Sequence, residues 1–576
     1  MPLTRRLSVT GLVAVTLLTL IVTTNCRAKT KSTPFYKLSK VFPTQAFPVV
    51  NFDASIIASP LLYKHQGKPQ IIVPVSDGTV AALDGKSGKL IWQLKVLVPE
   101  GQLCELIATP VIVDNKLVII FQASRDGIRT SHRMAVIDLL TKSFDNSFPV
   151  LEISAEQPGT DGKGDVKFNP PTAYSHAALK HIKPSGSRWG LIYAGFGNAG
   201  DTQPFHGWLF EIDMDAWEQR KAQANNKAIK NALITTPQAD CPVTIEWGTQ
   251  EMICGGGIWS PSGLEIYKHK DDYEIIIPTG NGRIDLDNRS YANTLMRVKP
   301  GLKFDPECNA DLCQNFDPSQ PSEACMSSCK NLFVPRLAAQ NKPLRPATHD
   351  CDNKSFAECL AWMDYDLGGS SPHKVQVHKH SLLVQPGKDG AVYLLDAKHL
   401  GKQYDRLQLV DVCGTPEDIC KAGWMGMAVT KPVVAYNKAK PIIVIPTYMP
   451  DNTHPAGIIA VSINLKKGHP HFKKAWQFPD PKSKAAITGF RSHPSLPVVT
   501  TLGKRKEAVV WVVDIGAHGS LYGIRIKDGV LVAKQSLEGA GRQLSTPVIH
   551  NSTLYLASSM PNTGKTFIEA YRIEPR

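Results

Sequence analysis

The residues with the sharpest chemistry of their own are the 12 cysteines, and their spacing is uneven. Cys308, Cys313, Cys325, Cys329, Cys351 and Cys359 fall in one stretch, Cys241/Cys254 and Cys413/Cys420 are close pairs, and Cys26 and Cys104 stand apart. Thiols so grouped either cross-link or hold a metal. A zinc ladder would show a C-x2-C half followed by a second matching half, and none is present, so the pattern favours disulfides and an oxidising compartment, with connectivity left open. No C-x-x-C-H occurs, so the chain offers no attached c-type haem. Neither a G-x-S-x-G elbow nor an H-E-x-x-H helix occurs, which argues against a hydrolase.

Charge and the N-terminus narrow the setting. The formal net charge of +14 comes mostly from scattered lysines, which read as solvated surface. The cluster Lys466–Lys474 suits an anionic lipid or an acidic partner, but it lies between apparent strands and carries no nucleic-acid motif. Arg5 and Arg6 precede an apolar run from Leu7 to Val22, so residues 1–28 read as an export signal, and the expectation is a periplasmic, outer-membrane-associated or secreted protein. A signal anchor is the competing reading, although the run is short for a hydrocarbon core of about 30 Å. Cys26 stands where a lipoprotein would be lipidated, whereas Asn25 is unlike the small residue that normally precedes such a cysteine.

The elements that must carry any site are short strands. In Ile71–Leu94 a β-branched run ends at the tight turn Asp77-Gly78, VAAL-D returns, and a KSGK turn leads into a third strand ending near Trp92. The same grammar recurs in Leu382–Lys402 and Val509–Lys534, and weaker copies begin near Ala108, Ala177, Gly263, Lys431 and Ser545. A sheet of this kind has two apolar faces and cannot bury them alone, so the repeats must stack around an axis and close. The expectation is an all-β fold: an eight-bladed β-propeller of four-stranded antiparallel blades spanning residues 34–576, with Tyr36 to Val50 completing the last blade. Residues 302–361 interrupt the repeat as a polar, Cys-rich insertion, either a functional lid or a plain surface elaboration, and at least two disulfides are expected within it. If Cys26 is removed or lipidated the count becomes odd, and Cys104 is then the expected unpaired thiol.

Five segments in the central half resemble motifs of the pyrroloquinoline quinone (PQQ) alcohol dehydrogenases and their secreted relatives of uncharacterised activity. They are 195–213 (GFGNAGDTQPFHGWLFEID), 255–261 (GGGIWSP), 278–282 (PTGNG), 363–369 (MDYDLGG) and 387–396 (GKDGAVYLLD). The resemblance implies that Trp259 forms the floor beneath the quinone, Asn281 ligates a calcium-type ion, Asp364 is the catalytic base and Lys388 meets the quinone oxygens. The family's metal-binding glutamate falls on Thr202, which leaves its neighbour Asp201 as the implied carboxylate ligand, and the family's vicinal cysteine pair has no counterpart. Each residue also has a plainer reading: Trp259 as inter-blade packing, Asn281 as a turn residue before Gly282, Asp364 as a turn cap and Lys388 as a solvated turn residue.

Two functions follow. One is a quinoprotein dehydrogenase that oxidises an alcohol or sugar with PQQ and calcium, passing electrons to a separate acceptor. The other is a non-catalytic propeller that binds protein or glycan at the cell envelope, as the propeller lipoprotein of outer-membrane assembly does with similar blades.

Overall fold

The strands that the turn residues punctuate form antiparallel meanders, and eight of them follow one another along the chain. The computed structural model describes residues 35–575 apart from 199, 201–203, 219–227, 242–253, 270–271, 337–354, 363, 410–429, 438–439, 448–456, 481–489, 491–493, 504–506, 516–518 and 542–544. The first blade is Leu61–His65, Lys68–Pro74, Thr79–Asp84 and Leu90–Lys95. Its second and third strands are buried almost continuously rather than at alternate residues, because neighbouring blades cover both faces of the sheet; the outer strand, half exposed, alternates.

The ring closes by joining the two ends of the described chain. Tyr36–Phe42 pairs antiparallel with Thr566–Pro575, from Tyr36 opposite Pro575 to Phe42 opposite Ala570 with a bulge between Lys40 and Phe42, and supplies the outer strand of the eighth blade. This leaves no gap between the last blade and the first. Between blades the core is aromatic and aliphatic, as where Leu38, Trp511, Tyr571 and Ile573 pack together across the seventh and eighth.

The Cys-rich stretch is not wholly outside the blades. Leu332–Phe333 pairs with Leu295–Val298 as the outer strand of the fourth blade, a contribution too short to show any periodicity in the sequence. Around it, Cys308–Cys329 and Cys313–Cys325 are disulfides, so the expected cross-linking is present, and Cys359 is also disulfide-bonded. Cys241–Cys254 forms a further bridge. Cys104 is the free cysteine among the described residues, its thiol pushed up to about 12 by burial. No described helix is long and apolar enough to cross a membrane.

In such a meander, the turn between the second and third strands and the connection from the outer strand to the next blade lie at the same end of the ring. That end collects the Asp77-Gly78 and Lys388-Asp389 turns, the Pro278–Gly282 turn, and the inter-blade segments holding Trp259 and Asp364.

One core histidine makes stability depend on pH. His132 is fully buried in the second blade, with its ring edge-on to Phe168 and Phe196 at 5.6 and 5.1 Å. Burial holds it down to about 4 from the ordinary 6.5, offset in part by a hydrogen bond to the Pro170 carbonyl. The unfolded chain therefore takes up the proton first, and stability should fall as pH drops through 6.5 towards 4. Thermal unfolding of wild type and His132→Phe between about pH 7 and about pH 4.5 checks this: wild type should lose more stability over that interval than the variant.

Candidate functional site

Trp259 sits at the end of a glycine-rich segment wedged between two blades. The Ile258 amide donates to the Phe196 carbonyl of the third blade at 2.9 Å, while Gly256 donates to Asn281 O at 2.8 Å and Gly280 donates to Gly257 O at 2.7 Å. These bonds tie the approach to Trp259 to the Pro278–Gly282 turn of the fourth blade. His176 donates through Nδ1 to the Trp259 carbonyl at 3.0 Å, and burial keeps that imidazole below the usual histidine range.

Asp364 is presented by the end of a short helix. Phe356–Trp362 terminates with the Tyr365 amide donating to Leu360 O at 2.8 Å and the Asp364 amide donating to Ala361 O at 3.2 Å, the paired bonds of a Schellman ending. The residue in the left-handed position of that motif is usually glycine; here it is Asp364, at φ 55°. An aspartate tolerates this conformation better than most residues, yet at a cost of roughly 1–2 kcal/mol relative to glycine. Tyr365 and Leu360 then pack in one cluster beneath it.

Lys388 comes from the turn between Pro386 and Ala391 in the fifth blade. A buried network fixes that turn. The Asp389 carboxylate accepts from Tyr393 Oη at 2.6 Å and from the Arg406 guanidinium at 2.7 Å, and Gln408 Nε2 donates to the Asp389 carbonyl at 2.6 Å. The Lys388 amide itself donates to Asp366 O at 3.1 Å, which joins the turn to the segment carrying Asp364.

Three of the residues singled out in the sequence meet in space. Lys388 Nζ lies 2.7 Å from Asp364 Oδ1 and 3.2 Å from Asp366 Oδ2, and 5.4 Å from the centre of the Trp259 ring. Both aspartates and the lysine are almost wholly buried, at 4, 1 and 3% exposure. Two carboxylates thus share one ammonium away from water. Asn281 belongs to the neighbouring Pro278–Gly282 turn, where a Cβ added at Gly280 would lie 3.3 Å from the Trp259 ring and one added at Gly368 would lie 2.7 Å from Gly280 Cα. Asp201 lies outside the described residues.

Asp366, His176 and Gly368 were missed by the sequence reading. Asp366 stands in the same MDYD motif and its spacing from Asp364 was a usable signal. His176 is far from Trp259 in sequence and had none. At Gly368, a Cβ would come within 2.6 Å of Gly280 N and 2.7 Å of the Trp259 indole nitrogen, so only glycine permits the approach.

The donors suit a hard cation beside a flat anionic ring. One oxygen of Asp366 is buried with no hydrogen-bond partner, an acceptor that a cation would satisfy. Asp364 adds a second carboxylate close by, so the donors gathered here are oxygens, as calcium-type ions require. Trp259, only partly buried, supplies an aromatic face with an ammonium beside it.

The fold is an eight-bladed β-propeller. It is similar to the quinohemoprotein alcohol dehydrogenase from Comamonas testosteroni, with a TM-score of 0.50 at 11% identity over 92% of this chain and 76% of that one. It is also similar to the quinohemoprotein alcohol dehydrogenase ADHIIG from Pseudomonas putida HK5 (TM-score 0.49, 12% identity, 94% of this chain and 76% of that one) and to BamB from Moraxella catarrhalis (0.41, 11%, 92% and 99%). At these identities the likeness is one of fold. No protein-family model matches the sequence, and the search of curated proteins returns no relative.

Gly368→Ala tests how tightly this end is built. Forcing a methyl group against the Gly280 backbone and the Trp259 ring is expected to cost about 1–3 kcal/mol in denaturant unfolding and to alter the near-ultraviolet circular dichroism of the tryptophan. An unchanged midpoint and spectrum would mean that the segments do not touch.

Proposed function

We propose that the chain is an exported quinoprotein dehydrogenase and that Trp259, Asn281, Asp364, Asp366 and Lys388 form its cofactor and reaction site. The observation that carries this reading is the position of Lys388 Nζ, in contact with Asp364 and beside the Trp259 ring. PQQ with a calcium-type ion, when bound, supplies an acceptor for two electrons from an alcohol or sugar. Trp259 offers the face on which a flat ring stacks, and Lys388 offers a cation to its oxygens. Asn281 and the unpartnered oxygen of Asp366 offer hard ligands to the ion, with Asp201 a further carboxylate if its segment approaches. Asp364 takes the proton of the substrate hydroxyl, held in place by its ion pair and by the helix ending beneath it. Lacking a haem-attachment motif, the chain would pass electrons to a separate acceptor. The disulfides favour an oxidising compartment and so support export.

Purified protein incubated with PQQ and Ca²⁺ is expected to reduce an artificial dye when given a primary alcohol or an aldose. Asparagine also tolerates the left-handed conformation at position 364, so Asp364→Asn should keep the helix ending and still bind PQQ while dye reduction falls by about 10²–10⁴-fold. Protein that binds neither PQQ nor calcium would overturn the reading and favour a scaffold that holds protein or glycan at the envelope.

A further inference from the structure

The Cys241–Cys254 disulfide lies beside an imidazole. Cys241 Sγ is 3.9 Å from His206 Nε2, and that nitrogen and both sulfurs all lie within 4.8 Å of one another. The other ring nitrogen, Nδ1, is 2.7 Å from the carbonyl of Thr236. A carbonyl can only accept, so the proton sits on Nδ1 and the Nε2 lone pair is left facing the sulfurs. A backbone carbonyl on the far nitrogen is the arrangement that orients metal-ligating histidines.

We propose that His206, Cys241 and Cys254 form a redox-gated site for a zinc-class ion, closed while the disulfide is intact and competent once it is reduced. A tetrahedral zinc with Zn–S of about 2.3 Å and Zn–N of about 2.0–2.1 Å spaces its sulfur and nitrogen ligands roughly 3.6 Å apart and its sulfurs roughly 3.8 Å apart. The 3.9 Å between His206 Nε2 and Cys241 Sγ is already close to this value, and Cys254 Sγ lies within 4.8 Å of both. The two sulfurs must part, which reduction permits.

Hydrogen bonds tie together the backbone that carries His206 and Cys254. The Gly207 amide donates to Gly255 O at 2.8 Å, linking the residue after His206 to the residue after Cys254, and Thr236 Oγ1 donates to the same carbonyl at 3.0 Å. Cys254 is fully buried and Cys241 nearly so. A cleft of about 190 Å³, bounded in part by Asp165, His206 and Trp208, opens the imidazole side to solvent. Solvent reaches the imidazole there, and a water can complete the fourth position, as in zinc sites with three protein ligands.

The chemistry balances with a dithiol as reductant. One of its thiolates attacks a sulfur of the bridge to give a mixed disulfide; its second thiol then displaces the protein sulfur, so the dithiol leaves as a cyclic disulfide and both cysteines become thiols. The ion takes the two thiolates and His206 Nε2, releasing two protons to solvent. This site is separate from the axial one, and its readout is the ion rather than substrate oxidation.

Cobalt(II) is the probe, because thiolate ligands give it a charge-transfer band that oxygen ligands do not. In full-length protein reduced with a phosphine, the wild type is expected to bind one more equivalent than the variant carrying Cys241→Ser and Cys254→Ser, which controls for cysteines released from the other bridges. Zinc should displace it. His206→Gln leaves the cross-link in place during folding and is expected to weaken this equivalent at least tenfold. Oxidised wild type should show no such band. Equal binding by reduced wild type and the serine variant, or unchanged affinity in His206→Gln, would overturn the proposal.

Discussion

A four-stranded sheet with two apolar faces is unstable until both faces are covered, and that constraint shapes this molecule. Each blade hides its faces against its neighbours, which is why the middle strands are buried at nearly every position. The chain can end the series only by returning to its start, and Tyr36–Phe42 does so on Thr566–Pro575. Closing the ring forces one set of turns from every blade to one end of it. A site assembled from four separate segments is therefore a consequence of packing, requiring no long-range device beyond the ring.

Within that end, the costly feature is buried charge. Two aspartates and one lysine out of water, with one carboxylate oxygen unsatisfied, would weaken the fold unless something else compensated. The surroundings are built to hold the group rather than to relieve it. Asp389, Tyr393 and Arg406 brace the lysine turn, a Schellman ending holds Asp364 in a left-handed conformation, and Gly368 allows the backbone to press on Trp259. A left-handed aspartate, buried charge and an unpartnered carboxylate oxygen gathered in one place are features met more often at binding sites than in cores.

Much of the fold was legible because Gly-bearing turns punctuate the blades at regular intervals, and the position of the closing strand followed from the repeat that lacked one. Leu332–Phe333 was not legible: two residues carry no periodicity and are paired only because the blade needs an edge. In the site, Trp259, Asp364 and Lys388 could be picked out by motif and do converge. Asp366 shares the motif with Asp364, but only the fold shows that both carboxylates reach Lys388. His176 and Asn293, whose side chain accepts from the Leu367 amide at 3.2 Å, act through contacts between blades that no local pattern encodes.

The central claim is that the buried aspartates, the lysine and the tryptophan face exist to receive a quinone and its cation. Crystals of the protein grown with PQQ and Ca²⁺ test it most directly. The account requires density for a planar ring stacked on Trp259 and reached by Lys388, with an ion bound by Asp366 and Asn281. Crystals in which Lys388 still bridges the two aspartates and neither ring nor ion is found at this end, despite saturating cofactor, would contradict it.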